Sequence, residues 1–112
     1  MKRLFLVSAL LILSSSAFAT LNAGTSKISS LLFYEGSNLV YVYLENGVQN
    51  APSCHGSNGD YISFSMTRPM ANTYLSALLA AFMAGKDVNF RIEGTCIDQS
   101  VSATLSYFEI FD

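Results

Sequence analysis

The sequence has few of the residue types on which most enzymes and metal sites depend. Its 112 residues include one His, two Cys, two Pro and no Trp, and only 12% of them are charged. With one His, any Ser-His-Asp arrangement has to use His55, and no G-x-S-x-G or His-rich metal motif is present. The length suits one domain.

Basic residues are also scarce, which bears on possible partners. Beyond residue 19, four cations (Lys27, Arg68, Lys86, Arg91) stand against eight acids, giving a net charge of −4. Nucleic-acid binding requires a clustered basic surface that displaces counterions from phosphates, and these cations are scattered. We therefore expect no nucleic-acid partner and no attraction to an anionic membrane surface.

What the chain does have is an apolar start. Lys2 and Arg3 precede the apolar run 4–13, and small residues follow up to Ala17-Phe18-Ala19. This order is typical of a secretory signal peptide with an Ala-x-Ala cleavage site. The run is about ten residues long, and a bilayer requires about 20. We predict a signal peptide over 1–19 and one exported domain over 20–112, periplasmic or secreted, without membrane insertion.

The two cysteines, Cys54 and Cys96, both lie in the predicted exported domain. An isolated pair in a small exported protein is most simply a disulfide. A metal site would want more ligands than this pair and the adjacent His55, and a nucleophilic thiol would leave its partner unexplained. We predict a disulfide and no metal or cofactor.

Five segments have the composition of strands. The first two read as a hairpin around the turn Glu35-Gly36-Ser37-Asn38. The second is apolar on both faces, so either both sides are covered or one face meets another molecule. The five predicted strands are 27–34, 39–44, 61–66, 87–93 and a last one from Val101 or Thr104 to Phe111.

A helix is predicted from Pro69 to Ala84, with Gly85 as its left-handed cap. No charge lies between Arg68 and Lys86, although a surface helix normally carries charges on its outer face. Either this face is covered by neighbouring copies, or alanine simply supplies helix propensity. The predicted oligomer interface consists of Ala77, Ala80, Ala81, Met83 and Ala84.

The predicted order is β-β-β-α-β-β, mainly β with one helix, which is the order of a five-stranded OB-like barrel. A small sheet packed on one helix in another topology is the alternative. OB barrels bind ligands on a sheet face and its loops. Tyr41, Tyr43 and Tyr61 are therefore candidate binding residues; the alternative is that they are half-buried barrel residues with a hydroxyl in water.

Catalysis has little support. A Ser-His-Asp arrangement would need His55 with Asp60 or Asp98, and we instead expect His55 to be an exposed loop residue. A carboxylate pair for glycoside hydrolysis would need a cleft, for which a domain of this size has little room. The glutamates available for such a pair are Glu35, Glu45, Glu93 and Glu109. We predict that the protein is not an enzyme.

The segment 75–92, LSALLAAFMAGKDVNFRI, takes a helix through Gly85 into a V-x-F-x-I strand. It resembles the helix-to-strand passage of the B subunits of bacterial AB5 toxins, in the subtilase cytotoxin and pertussis-like branch. The resemblance implies OB-fold subunits in a ring of five, with helices lining a pore, that bind cell-surface glycans. No motif here matches the glycan-binding residues of that family, and the additional cysteines of some members are lacking.

Two functions follow as expectations. The first is an exported, non-catalytic binding protein of toxin B subunit type, a homo-oligomer that recognises a surface glycan or protein. The second is a monomeric periplasmic accessory or inhibitor protein that binds another protein. The number of copies in solution distinguishes them.

Overall fold

The computed structural model describes residues 19–112. The predicted signal peptide lies outside this range except for Ala19. No helix of the described residues is long and apolar enough to cross a membrane. The elements are β1 (Leu21–Ser26), β2 (Ile28–Tyr34), a 3₁₀ turn (Glu35–Ser37), β3 (Leu39–Leu44), β4 (Tyr61–Ser65), α1 (Ala71–Ala84), β5 (Val88–Ile92) and β6 (Ala103–Ile110).

The six strands form one sheet in the order β1-β5-β6-β4-β3-β2. All neighbours are antiparallel except β4 and β6, which pair in parallel at Ile62 and Ser63. The edge strands β1 and β2 are separated in the chain by Lys27 alone. Because one segment supplies both edges, the sheet curls into a half-barrel.

The prediction of a mainly β chain with one helix is confirmed, but the strand count and order differ from it. The structure adds β1 ahead of the predicted strands. This strand contributes the small side chain of Ala23 to the core, and its register shifts between Asn22 and Gly24. A short strand rich in polar residues and glycine lacks the apolar alternation from which strands are predicted.

The predicted hairpin is present as β2 and β3, with Leu31 opposite Val42 and Phe33 opposite Val40. Asn38 ends the turn in the left-handed conformation, which Asn tolerates better than most residues, and donates its N–H to the Glu35 carbonyl. The two apolar faces of β3 are both covered within the chain. One joins the main core, and the other packs against Tyr61.

Helix α1 begins at Ala71, two residues later than predicted. Just before the predicted start at Pro69, the hydroxyl of Thr67 lies 2.7 Å from the Ser65 hydroxyl. The predicted cap is confirmed: Gly85 has φ +63° and donates its N–H to the Phe82 carbonyl. The helix thus has a specific end but no side-chain cap at its start.

One main core fills the concave side of the sheet beneath α1. Aromatic rings meet edge to face there, with Tyr74 of α1 at 6.2 Å from Phe64 and 5.3 Å from Phe108. Such packing fixes the helix against β4 and β6. The largest fully buried apolar side chains are Tyr61, Phe64, Phe90, Ile62, Leu78, Ile92 and Leu105.

Candidate binding surface

The predicted disulfide joins Cys54 to Cys96, with 6.2 Å between the Cα atoms. It links the long loop 45–60 to the loop between β5 and β6. The long loop is also held by backbone hydrogen bonds from Gln49 to Ala23 and from Gly56 to Val101. The loop is thus an anchored part of the fold.

His55 is nearly buried, with 7% of its side chain exposed, so the expectation of an exposed loop residue is wrong. Its Nδ1 accepts a hydrogen bond from the Ala103 backbone N–H at 2.8 Å. Its Nε2 therefore carries the proton and donates to Asp60 at 2.8 Å. Both ring nitrogens are engaged, so neither is available to activate a serine hydroxyl in this arrangement.

The three candidate tyrosines come together on the convex face of β3 and β4. The ring centroids of Tyr41 and Tyr61 lie 4.1 Å apart in a stack, and Tyr43 lies 5.3 Å from Tyr61. Tyr41 is only 7% exposed and Tyr61 is fully buried, whereas Tyr43 is half-buried. Tyr34, which the sequence analysis does not select, is 51% exposed and lies 6.1 Å from Tyr41.

A hydrogen-bond network explains why this face is covered. The Gln99 side-chain amide donates to the Tyr41 hydroxyl at 2.8 Å, and its carbonyl accepts from the Tyr61 and Ser102 hydroxyls at 2.6 Å each. Ser102 in turn contacts the buried Ser63 hydroxyl at 2.6 Å. Burial, with the nearby Tyr61 hydroxyl, raises the pKa of Tyr41, and the Gln99 hydrogen bond partly opposes this rise.

The predicted helix interface divides between surface and core. Ala80, Met83 and Ala84 are exposed, and Met83 has 80% of its surface in solvent. Ala77 is partly buried, and Ala81 belongs to the core of its own chain. The side chains available to another molecule are therefore those at the C-terminal end of the helix.

A second apolar surface lies along β2. This strand pairs only with β3, so its other edge is open. Leu32, Phe33 and Tyr34 are exposed, Phe33 by 57%. Natural edge strands are usually protected by charges, proline, bulges or a covering segment. β2 carries no charge or proline; α1 passes close to it, and its one register shift lies between Ile28 and Ser30, so that 30–34 form a regular ladder with β3. Among residues 19–112, no side chain hydrogen-bonds to its backbone.

The two other edge segments are protected. Along β1, the side chains of Asn46 and Asn50 donate to the Thr25 and Asn22 carbonyls. Along β6, side chains from the α1 side cap two carbonyls: Arg68 donates to that of Leu105, and the Tyr74 hydroxyl to that of Ser106. The contrast identifies β2 as the least protected edge of the described sheet.

A shallow groove of about 240 Å³ lies at the end of β2. Its floor is apolar, while Glu35 and Asn38 place polar groups at its side. Its size suits one large side chain or one sugar ring rather than an extended ligand. The lining residues are Phe33, Tyr34, Glu35, Asn38, Leu39, Val40, Met66 and Leu75.

Sequence reasoning missed both the open edge and the groove. The available signal is the uncharged run ISSLLFY of β2, bounded by Lys27 and Glu35. That run predicts a strand, but the strand's position at a sheet edge depends on the topology.

No protein-family model matches this chain, and a search of curated proteins finds no match.

Proposed function

We propose that the chain is an exported, non-catalytic binding protein that assembles as a homo-oligomer and recognises a surface glycan or protein. The observation that carries this proposal is the exposed apolar surface of β2 and of the end of α1. Phe33 and Tyr34 are more than half exposed, and Met83 is almost wholly so. Large exposed apolar patches on small domains mark interaction sites.

The finer fold belongs to the same proposal. If β1 and β2 are counted as one strand bent at Lys27, five strands remain, with α1 between the third and the fourth. The sheet order then returns to the first strand. This arrangement supports an OB-like barrel, a fold that binds ligands on one sheet face and its loops.

Export is supported by the disulfide and by the leader-like start of the sequence. Disulfides persist in the periplasm and outside the cell and are rare in the cytosol. The Cys54–Cys96 bond is consistent with such a compartment. We propose a periplasmic or secreted bacterial protein.

The ligand site is proposed at Tyr34 and the adjoining groove. Tyr34 offers an exposed ring, and Glu35 and Asn38 offer polar atoms beside an apolar floor. Of the predicted tyrosines, Tyr43 reaches the surface and is retained as a contact. Tyr41 and Tyr61 then act as support, since their rings are buried beneath Tyr34 and Gln99.

A glycan array together with native mass spectrometry of residues 20–112 tests this function. We expect more than one copy per particle and binding to a subset of glycans that Tyr34→Ala reduces at least about tenfold, equivalent to about 1.4 kcal/mol. Tyr107→Ala, which removes a tyrosine of similar exposure from β6, is the matched control and should bind normally. If the protein forms oligomers but binds no glycan, the proposed ligand is a protein.

The alternative is a monomeric periplasmic accessory or inhibitor protein. The open edge of β2 favours it specifically, because an extended segment of another protein can add a strand to such an edge. A particle that stays monomeric at high concentration and binds no glycan would replace the first proposal with this one.

A further inference from the structure

The open edge of β2 defines a specific contact between copies. We propose that β2 of one copy pairs antiparallel with β2 of a second copy across a two-fold axis at Leu31. This inference rests on the homo-oligomer of the proposed function and names its interface. It concerns the strand Ile28–Tyr34 and the two charged residues that flank it.

Backbone groups on a strand edge form hydrogen bonds with another strand, with caps or with water. On β1 and β6, side chains satisfy part of this demand, and Glu109 adds a charge near the end of β6. On β2 no described side chain does so, and three apolar side chains in succession are exposed. An edge of this kind is a template for pairing with another chain.

The charges at the two ends of β2 select the antiparallel direction. Lys27 precedes the strand and Glu35 follows it, each four positions from Leu31. Antiparallel pairing centred on Leu31 brings the Lys27 end of each copy to the Glu35 end of the other. The register shift between Ile28 and Ser30 and the 3₁₀ turn at Glu35 put these two side chains beyond the regular ladder, where their length lets two opposite-charge pairs form. Parallel pairing in register would set like charges together, which is destabilising. Ion pairs of this type fix register more than they add affinity.

Lys27 is accessible for this role. It donates to Asp87 at 2.9 Å, but 44% of its side chain remains in solvent. An ammonium group has three donors and can serve a second carboxylate. In the same register, Phe33 lies opposite Ser29 and Leu32 opposite Ser30, while Leu31 meets Leu31 at the axis and Tyr34 lies opposite Ile28, which is buried in its own chain. The exposed side chains of Leu32 and Phe33 therefore each meet a small residue.

The symmetry has a consequence for the assembly. A two-fold contact uses the same patch on both copies and is the commonest symmetry among homo-oligomers. Contacts of this kind build even-numbered particles, in contrast to the ring of five that the resemblance implies. The paired segment is only seven residues long, so we expect weak association, as small interfaces give.

A charge-swap experiment tests the register. Sedimentation equilibrium gives the dimer dissociation constant of residues 20–112, of Glu35→Lys, of Lys27→Glu and of an equimolar mixture of the two variants. Each variant alone sets like charges opposite each other at both ends of the pair. The mixture restores two opposite-charge pairs. Glu109→Lys makes the same charge change on β6 and is the control.

We expect each single variant to weaken dimerisation about tenfold and the mixture to return within about twofold of wild type. Glu109→Lys should behave as wild type. Hydrogen exchange of alternate β2 amides should slow as protein concentration rises. Because Lys27→Glu loses its bond to Asp87, thermal melts check its folding; if it melts low, Glu35→Lys, Glu109→Lys and the exchange data decide.

Three results would overturn the pairing: dimerisation insensitive to Glu35→Lys, no recovery in a mixture of folded variants, or β2 amides that exchange equally at all concentrations. A ring of five that tolerates these changes would remove the pairing and leave the proposed function intact. A monomer would remove the pairing and the self-association together. Because Glu35 also lines the groove, glycan binding is compared between wild type and Tyr34→Ala and not with Glu35→Lys, so its outcome remains distinguishable.

Discussion

Gln99 holds the convex face of the sheet closed. Its side chain bonds to the hydroxyls of Tyr41, Tyr61 and Ser102. Among residues 19–112, every buried polar side-chain atom has a hydrogen-bond partner. Gln99→Leu removes three bonds, and the buried Tyr61 hydroxyl loses its acceptor although it keeps the bond from Asn58. At about 1 kcal/mol for each bond, we expect chemical denaturation to show a loss of about 2 to 4 kcal/mol in the free energy of unfolding.

Gln49→Leu is the matched control for this change. Gln49 is exposed, and within the described range 19–112 its side-chain amide bonds only to the Asn46 carbonyl. We expect Gln49→Leu to lower the free energy of unfolding by no more than about 1 kcal/mol. Equal losses of unfolding free energy in the two variants would show that the Gln99 network stabilises the fold no more than a single exposed hydrogen bond does.

The phenol of Tyr41 predicts an alkaline limit to stability. Burial raises its pKa above the ordinary 10.0, so the folded state holds this proton more tightly than the unfolded state does. The contribution of this protonated phenol to the free energy of unfolding is therefore fully present below about pH 10 and is lost as pH rises through the folded-state pKa. Denaturation at pH 9 to 11 should show wild type losing stability more steeply than Tyr41→Phe.

Lys27 complicates that comparison, since its bond to Asp87 also raises its pKa. Its contribution is likewise lost at alkaline pH, but it is common to wild type and Tyr41→Phe and cancels in the difference. Tyr107→Phe, at an exposed tyrosine of β6, should keep the wild-type slope. Parallel pH profiles for all three proteins would contradict the role given to Tyr41.

At the scale of elements, the disulfide joins two loops that carry no regular ladder of their own. It links residues 42 positions apart. On the chain-entropy model a closed loop of this length stabilises by roughly 4 kcal/mol. The double variant Cys54→Ser/Cys96→Ser leaves no free thiol, and its melts should show a loss of about that size. A melting curve equal to wild type would refute a structural role for the bond.

The elements also show what could be predicted from sequence. The β2–β3 hairpin and α1 with its Gly85 cap follow from local composition, because turn and cap residues act on their neighbours. Strand β1 does not, since its backbone depends on Asn46 and Asn50 from a distant loop. A local sequence pattern gives no information about partners that are distant in the chain.

The candidate site shows the same division. The sequence selects Tyr41, Tyr43 and Tyr61 as candidate binding residues, and alternation along β3 and β4, which is a local property, brings Tyr41 and Tyr61 to one face. Their burial depends on Gln99, which is 58 residues from Tyr41 in the chain. The same holds for His55, whose partner Ala103 lies 48 residues away. Burial of a polar side chain is thus set by tertiary structure.

At the scale of the whole molecule, two separate exposed surfaces are the proposed contacts between copies: the edge of β2 and the end of α1 around Met83. If both are contacts, removal of one should leave the other. Met83→Lys places a charge on a side chain that is 80% exposed, so the fold should lose no more than about 0.5 kcal/mol. We expect native mass spectrometry to show a dimer held through β2.

The combination of Met83→Lys with Glu35→Lys should then give a monomer, because Met83→Lys disrupts the contact through α1 and Glu35→Lys disrupts the pairing through β2. Ser76→Lys adds the same charge on an exposed, polar part of α1 and should leave the wild-type particle unchanged. If Met83→Lys alone gives a monomer, the helix is the sole interface and β2 is free for another partner. If Met83→Lys changes nothing, the uncharged helix reflects the helix propensity of alanine, and the edge of β2 alone accounts for the assembly.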